Sequence, residues 1–384
     1  MNLRRLAAAA VLCVAVLTAA PAAQRALPPE AVAALDALLQ AEVKAGVPGL
    51  AVAVAFDNRI VYSKGAGMAD LQHQVPVTTT TAFRTASVAK PLTATAAMTL
   101  VKAGKLDLDA PITKYCAAWP SKHPVITARQ LLSHQSGIRH YARRGESTGT
   151  TPFFTIDDSL ESFKNDPLLH EPGTKHLYST HGYSVLGCVI EGASTMPYEE
   201  YMRNWVFTPA GMTRTRLDRH YDIVPDRASG YQVLSAEAFA SLPPAAKRIA
   251  KVGQTYNSDL HDTSMKVPGG GLLSTAEDLA RFGIALNTGL LLPKAFVEMM
   301  WVDQTTASGE ATGYGLGWGV TPMQEGVRRL THSGNQAGAS SALHVIPELG
   351  VTIAVMTNLE DHRLATFSRA IGNVLREHMM KKDL

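Results

Sequence analysis

The sequence predicts an α+β fold in which one antiparallel sheet, built from both ends of the chain, is flanked by helices and carries an inserted, mostly helical lobe. Patterns typical of strands gather at about 30–110 and 266–384, whereas 111–265 is rich in helix and loop signals. The 384 residues contain no internal repeat or low-complexity linker, and 46% of them are hydrophobic. A chain of this length and composition is sufficient for one or two well-packed domains.

Residues 1–22 have the pattern of a secretory signal peptide. Two arginines precede an apolar stretch, Leu6 to Leu17, and the small residues Ala20-Pro21-Ala22 form a suitable cleavage site. The apolar stretch is too short to span a bilayer as a mature helix. We therefore expect the signal to be removed and residues 23–384 to form a secreted, periplasmic protein.

The mature chain is predicted to have almost no net charge. The formal charge of +3 falls to +1 when Arg4 and Arg5 leave with the signal peptide. This balance predicts no nucleic-acid or polybasic membrane partner, and no other stretch predicts a transmembrane helix. Cys116 and Cys188 would remain, and an oxidising compartment permits a disulfide, but the sequence cannot place them in contact. We expect two buried free thiols.

Helix and strand patterns at the two ends of the chain mirror each other. An opening helix is predicted between Pro28-Pro29 and Gly46 because apolar residues recur there at helical spacing. A hairpin follows, with Asp57-Asn58 as its turn. Near the other end, two strands flank the turn 347–350, and an amphipathic helix runs from about Leu364 to His378.

The stretch "FRTASVAK" places Ser87 three residues before Lys90, at the predicted start of a helix that ends near Gly104. Residues three apart share one face of a helix, so the two side chains would point the same way. A serine hydroxyl is a weak nucleophile until a base removes its proton, and the amine could be part of that base. On spacing alone, an N-cap serine followed by a solvated lysine remains an alternative explanation.

Two further stretches carry a family resemblance. "PGTKHLYSTHGYSVLG" puts Tyr178 in a loop before a helix, and "THSGNQAGASSALHVI" puts His332-Ser333-Gly334 at the start of a strand. With "FRTASVAK", their order and separation resemble the three active-site motifs of the serine β-lactamase and penicillin-binding-protein superfamily, especially its class C-like serine hydrolases and esterases. "SHQSGIRHY" and "HSGNQAGASS" are similar to the mitochondrial serine β-lactamase-like proteins and their bacterial relatives. The resemblance runs from about residue 30 to 378.

This resemblance implies a β-lactamase-like (D,D-peptidase-like) fold and an acyl-enzyme mechanism. Ser87 would be the nucleophile, and Lys90 and Tyr178 would be the paired groups that take its proton. The backbone N–H groups of Ser87 and Asn335 would form the oxyanion hole. An amine and a phenol buried together alter each other's pKa and titrate as a unit, so the sequence does not decide which of them is the base. The acyl group would pass to Ser87 and then to water.

The motifs depart from the superfamily pattern at two places. The third motif usually reads Lys-Thr-Gly, and its lysine helps to hold a substrate carboxylate, but here it is His332-Ser333-Gly334. A histidine with an ordinary pKa of about 6.5 offers only part of a positive charge at neutral pH. In the second motif, Thr180 replaces an asparagine that binds the substrate's amide side chain. We assign these four residues to substrate binding, although His332 could be structural and the Ser333 hydroxyl could simply bond to backbone.

These departures predict a small-molecule or peptide substrate with an ester or amide bond, rather than a β-lactam. A true β-lactamase or D,D-carboxypeptidase remains an alternative. So does a non-catalytic binding or scaffold protein, but such a protein would be expected to lose part of the set Ser87, Lys90 and Tyr178. Oligomeric state is not visible in the sequence.

No cofactor and no metal ion are predicted. The histidines lack the spacing of a His-Glu-x-x-His site, and we expect them to be core and surface residues of the helical lobe. Those closest together in sequence are His134, His140, His170, His176 and His181. Gly269-Gly270-Gly271 is not followed by the residues of a phosphate loop and predicts a tight turn before a helix. Ser274 would cap that helix, with Glu277 completing a capping box.

Overall fold

The computed structural model describes residues 26–143, 146, 148–324 and 326–380. The predicted signal peptide, residues 1–22, lies outside the described residues. The strands are β1 (Gly49–Phe56), β2 (Arg59–Asp70), β3 (Val75–Pro76), β4 (Phe83–Arg84), β5 (Arg216–Leu217), β6 (Tyr231–Val233), β7 (Thr255–Asn257), β8 (Leu272–Ser274), β9 (Gly319–Gln324), β10 (Val327–Gln336), β11 (Ala339–Ile346) and β12 (Val351–Thr357).

Helices occupy much of the remaining chain. The α-helices are α1 (Pro29–Lys44), α2 (Ala89–Lys102), α3 (Ala128–Leu132), α4 (Ile156–Leu160), α5 (Thr180–Ser194), α6 (Tyr198–Met202), α7 (Ala236–Ser241), α8 (Pro244–Lys247), α9 (Val267–Gly270), α10 (Ala276–Asn287), α11 (Lys294–Trp301) and α12 (Leu364–Leu375). In the part of the chain that the structure describes, none of them combines the length and apolar character needed to cross a membrane.

The main sheet has seven strands in the order β3-β2-β1-β12-β11-β10-β9, and all neighbours are antiparallel. Strands from the two ends of the chain meet at its centre, where Val52 of β1 is paired with Val355 of β12. Both predicted hairpins form, and the first turns at Asp57 and Asn58, which have positive φ angles of 51° and 55°. The predicted fold class is therefore confirmed. The limits proposed for the two lobes stay a prediction.

The central strands are buried on both faces. In β1, Leu50, Val52 and Val54 join a core with the two terminal helices α1 and α12, as alternation along a strand requires. Ala51 and Ala53 point to the other face, into the larger core that includes helices α2, α5 and α10. The sheet is thus a central layer that holds the segments before and after the inserted helices in fixed positions.

Two small sheets, β4-β8-β5 and β6-β7, were not predicted, because strands of two or three residues carry no readable alternation. The predicted capping box is also wrong by one position. Thr275 is the N-cap of α10, and its side chain accepts the N–H of Asp278 at 3.1 Å. Ser274 instead ends β8, where its hydroxyl is 2.8 Å from that of Thr215.

The expectation of two free thiols is wrong. Cys116 and Cys188 form a disulfide, with their Cα atoms 5.2 Å apart. Gly192, one helical turn beyond Cys188 in α5, explains how the two segments approach, since a Cβ at this position would lie 1.7 Å from the carbonyl oxygen of Tyr115. Sequence spacing carries no information about this backbone contact.

Replacing both cysteines by alanine should lower the free energy of unfolding by about 4 kcal/mol, because the bridge closes a loop across a sequence separation of 72 residues. Urea unfolding of the oxidised protein, the reduced protein and the double variant measures this. The reduced protein and the variant should agree with each other. An oxidised protein no more stable than these two would contradict the assignment.

Candidate active site

Ser87 lies in a tight turn that is tied to the sheet. The turn, Ala86–Val88, leads directly into α2, and Ala86 has a φ of 45°, which is unfavourable for a residue with a Cβ atom. Two hydrogen bonds to the backbone of Thr85, the residue before Ala86, hold the turn in this conformation. The N–H of Thr85 donates to the carbonyl of Leu272 at 2.9 Å, and the hydroxyl of Ser341 donates to the carbonyl of Thr85 at 2.5 Å. Backbone strain of this kind is typical of functional turns.

The predicted pair meets at this turn. The Lys90 amine is fully buried, and its Nζ lies 3.1 Å from the Ser87 Oγ. The amine also donates to the Thr180 hydroxyl at 3.1 Å and to the carbonyl of Gly269 at 2.7 Å. The Tyr178 ring packs beside it, with the ring centroid 4.8 Å from Nζ. The interpretation of Lys90 as a solvated lysine is therefore wrong.

The environment favours the uncharged form of both candidate bases. Burial lowers the pKa of Lys90 well below its usual range, and the positive charge of Lys266 lowers it further. Burial raises the pKa of Tyr178 above its usual range, and a hydrogen bond with the Ser87 side chain opposes that rise. The amine is thereby poised to accept a proton and the phenol to keep one.

The segment that carries Tyr178 is held by two histidines. The Nδ1 of His134 accepts the N–H of Ser179, and the Nδ1 of His140 accepts the N–H of Thr180, each at 3.2 Å. The carbonyl of His134 also accepts the N–H of Leu177 at 2.7 Å. The rings of His134 and Tyr178 pack with centroids 4.2 Å apart. These contacts fix the backbone on both sides of the tyrosine.

His134 adopts an unfavourable backbone conformation in this position. It has a φ of 58°, in the left-handed region that residues with a Cβ atom rarely adopt. Because its Nδ1 is an acceptor, its proton is on Nε2, and this buried atom has no hydrogen-bond partner among the described residues. Burial lowers the pKa of His134 well below its usual range, so the ring stays neutral and its Nδ1 can accept.

The third motif lies in the middle of β10, rather than at the start of a strand. His332 and Gly334 face inward, whereas Ser333 and Asn335 are exposed. A Cβ on Gly334 would lie 2.7 Å from the backbone nitrogen of Ser87, so only glycine allows the strand to approach the nucleophile this closely. The exposed Ser333 is therefore on the opposite face of the strand from the buried His332.

His332 is buried and neutral. Its Nε2 is 2.9 Å from the Tyr314 hydroxyl, and its Nδ1 is 2.8 Å from the carbonyl of Ser333. The carbonyl can only accept, so Nδ1 carries the proton and the Tyr314 hydroxyl donates to Nε2. Burial lowers the pKa of His332 to about 3, and Lys90 in its protonated form would lower it further. At neutral pH it therefore carries no positive charge.

Asn335 is fixed by its side chain. Its amide nitrogen donates to a carboxylate oxygen of Asp361, and its amide oxygen accepts the N–H of the same residue at 2.8 Å. The hydroxyl of Ser340, its partner across the β10–β11 pair, also donates to that amide oxygen at 3.2 Å. The backbone of Asn335 is thereby held at the exposed edge of the site.

The structure thus brings six of the predicted site residues together: Ser87, Lys90, Tyr178, Thr180, His332 and Gly334. Ser333 and Asn335 are their neighbours on β10 and have exposed side chains. The sequence interpretation missed several supporting groups: the Gly269 carbonyl, the Tyr314 hydroxyl, the histidine acceptors and the buried Lys266. The "SHQSGIRHY" stretch that supplies His134 and His140 was a recognisable signal, but its contacts were not predictable from spacing. Within the described residues, no group of three or more His, Cys, Asp or Glu is arranged to hold a metal ion.

Comparison with known proteins agrees with this geometry. The family model described as Beta-lactamase matches residues 35–371, most of the chain. The chain belongs to the beta-lactamase family. It is therefore a serine hydrolase of that family, with Ser87, Lys90 and Tyr178 gathered at one site.

Relatives with this fold are found in several organisms. The chain is 30% identical over 407 aligned residues to the serine beta-lactamase-like protein LACTB, mitochondrial, of Homo sapiens, covering 82% of this chain and 71% of that protein. It is 25% identical to the octameric penicillin-binding protein homologue from Pyrococcus abyssi, with a TM-score of 0.74 and coverage of 92% and 79%. The D-amino acid amidase from Ochrobactrum anthropi SV3, complexed with L-phenylalanine amide, is 23% identical, with a TM-score of 0.76 and coverage of 92% and 100%.

Two substitutions of His134 separate its hydrogen bond from its packing. Asparagine tolerates the left-handed conformation and can accept the N–H of Ser179, whereas alanine does neither. Both substitutions remove the imidazole ring, so the difference in stability between the two variants measures the backbone strain and the loss of the hydrogen-bond acceptor. We expect His134→Ala to be less stable than His134→Asn by about 2 kcal/mol in urea unfolding. Equal stability of the two variants would show that His134 acts through packing alone.

Proposed function

We propose that this protein is a secreted hydrolase of ester or amide substrates, in which Ser87 is acylated and the acyl-enzyme is then hydrolysed. Lys90 accepts the serine proton, and Tyr178 is the neighbouring proton donor. The oxyanion is held by the backbone N–H groups of Ser87 and Asn335. Thr180, His332, Ser333 and Gly334 line the place where the substrate binds.

The surroundings of the Lys90 amine carry this proposal. A neutral amine has two N–H groups and one lone pair. The Gly269 carbonyl and the Thr180 hydroxyl can accept those two N–H groups, which leaves the lone pair for the Ser87 hydroxyl at 3.1 Å. The arrangement matches a base that is ready to receive a proton, and burial keeps it in that form.

The reaction can be written with each proton accounted for. The Ser87 oxygen forms a bond to the substrate carbonyl carbon as its proton passes to Lys90. The carbonyl electrons move onto oxygen, where the two backbone N–H groups stabilise them. The intermediate collapses, the bond to the leaving group breaks, and a proton returns through the Lys90–Tyr178 pair to the leaving atom. Water then attacks the acyl-enzyme by the same path and releases the acid and free Ser87.

A β-lactam is not the favoured substrate. The histidine that replaces the lysine of the third motif is neutral, with a pKa of about 3, and its ring nitrogens are bonded to Tyr314 and Ser333. His332 therefore offers no positive charge to a substrate carboxylate on the β10 side of the site. A true β-lactamase or D,D-carboxypeptidase is the alternative that the adduct experiment below decides.

The proposed secretion rests on the sequence of residues 1–22, and the Cys116–Cys188 disulfide supports it. Structural disulfides form and persist mainly in oxidising compartments such as the periplasm. Fractionation of cells that express the full chain tests this proposal. The protein should appear outside the cytoplasm without its first 22 residues. Full-length protein confined to the cytoplasm would contradict it.

Intact-protein mass after brief incubation with p-nitrophenyl butyrate, and separately with a penicillin, tests the nucleophile. The protein should gain one butyryl group from the ester, Ser87→Ala should gain none, and the control Ser241→Ala, at an exposed helical serine, should behave as the unchanged protein. An adduct or turnover with penicillin would support the β-lactamase alternative. No adduct or turnover with either reagent would overturn the proposed chemistry.

The pH profile of kcat/KM tests Lys90 as the base. Protonation of the amine removes its lone pair, so activity should fall on the acid side, and the raised pKa of Tyr178 should keep activity level to about pH 9. Thr180→Val removes an acceptor from the ammonium, which disfavours protonation and should move the acid limb to lower pH. Thr180→Ser keeps the hydroxyl and should leave the limb in place. If the acid limb of the profile stayed at the same pH in both variants, Lys90 would be excluded as the titrating group.

A further inference from the structure

Arg84 links three separate segments beside the nucleophile turn. It lies in β4, three residues before Ser87, and its side chain is 18% exposed. Its Nε donates to a carboxylate oxygen of Asp218 at 2.8 Å. Its Nη1 donates to the carbonyl of Ala337 and its Nη2 to the carbonyl of His261, each at 3.0 Å. One planar guanidinium group therefore fixes the positions of these segments relative to β4.

Asp218 anchors the guanidinium group. It is buried, and its second carboxylate oxygen accepts an N–H of Arg227. Its own backbone is also held, because its N–H donates to the carbonyl of Gly271 at 2.9 Å and its carbonyl accepts the Thr263 hydroxyl at 2.8 Å. Arg84 therefore holds the carbonyl of its other partners from a fixed position in the interior.

The bond to Ala337 reaches the turn between β10 and β11. Residues 337 and 338 connect these two strands, and Ala337 is two residues beyond Asn335. On the other side of Asn335, Gly334 is paired with Ser341 of β11, whose hydroxyl donates to the carbonyl of Thr85 at 2.5 Å. Asn335 therefore lies between two attachments of this hairpin to the segment that carries the nucleophile.

We propose that Arg84 is a positioning residue for the oxyanion hole. By tying the β10–β11 turn at Ala337 to β4, it sets the spacing between the backbone N–H groups of Ser87 and Asn335. The oxyanion forms only as the carbonyl is attacked, so displaced donors slow the reaction without weakening substrate binding. A displacement of about 1 Å is enough for a large loss of rate. This inference rests on the proposed function and concerns the same site.

Three variants separate this role from charge and from stability. Arg84→Lys keeps a positive charge beside Asp218, but one nitrogen cannot take the places of the three nitrogens of the guanidinium group. Arg84→Met removes both the charge and the hydrogen bonds. The matched control is Arg227→Met, because Arg227 donates to the same carboxylate and is similarly exposed, at 22%. In the part of the chain that the structure describes, its side chain bonds only to Asp218 and to the carbonyl of Arg219, and not to the β10–β11 turn.

The oxyanion hole is probed with p-nitrophenyl butyrate and its thiono analogue, in which sulfur replaces the carbonyl oxygen. Sulfur is a larger atom and a weaker hydrogen-bond acceptor, so well-placed N–H groups favour the oxygen ester and displaced ones lose this preference. The readouts are kcat and KM for the oxygen ester and the ratio of kcat for the oxygen and sulfur esters. The pH profile of kcat/KM is a further readout, since Arg84→Lys keeps the charge and should leave the acid limb at the same pH.

We expect both Arg84 variants to lower kcat about tenfold with KM nearly unchanged, and to lower the oxygen-to-sulfur ratio, whereas Arg227→Met should keep the values of the unchanged protein. If Arg84→Met does not fold, Arg84→Lys decides the result. An unchanged ratio or a displaced acid limb in Arg84→Lys, or an equal loss in Arg227→Met, would overturn the assignment while Ser87-dependent hydrolysis of the ester persists. Absence of Ser87-dependent hydrolysis in the unchanged protein would instead overturn the proposed function, and this inference with it.

Discussion

The site depends on one constraint, which is that the Lys90 amine is held in a dry interior three residues from Ser87. An amine in water is protonated at neutral pH and cannot accept a proton, so the fold must remove water before it can provide a base. The Gly269 carbonyl, the Thr180 hydroxyl and the Tyr178 ring supply that enclosure. Each comes from a segment distant from Ser87 in sequence, and the chemistry therefore exists only in the folded chain.

The sheet is what makes this enclosure possible. Strands from both ends of the chain pair at its centre, and β10 and β11 then lie against the turn that carries Ser87. Glycine is required where the backbones approach most closely, at Gly334 against Ser87. The strained φ angles of Ala86 and His134 persist because these surrounding contacts hold them. Stability of the scaffold and geometry of the site are consequently properties of the same contacts.

The distribution of charge follows from burial. His134, His140 and His332 surround the catalytic segment, yet burial keeps all three neutral, and they act as hydrogen-bond partners of the backbone and of Tyr314. A sequence comparison of the third motif would record that a lysine is replaced by a histidine, and the structure shows in addition that this histidine is buried and neutral.

The sequence by itself predicted the fold class from the strand and helix patterns along the chain. It predicted the three motifs and the residues Ser87, Lys90 and Tyr178 from their resemblance to a known superfamily, because both kinds of signal are carried by short local stretches of the chain. Only the tertiary structure decided the Cys116–Cys188 disulfide, the cap at Thr275 and the hydrogen bond by which His134 holds the Tyr178 segment. Each of these depends on how closely distant backbones approach and on how much water they exclude. Such distances are set by packing of the whole chain, and no stretch of residues carries them.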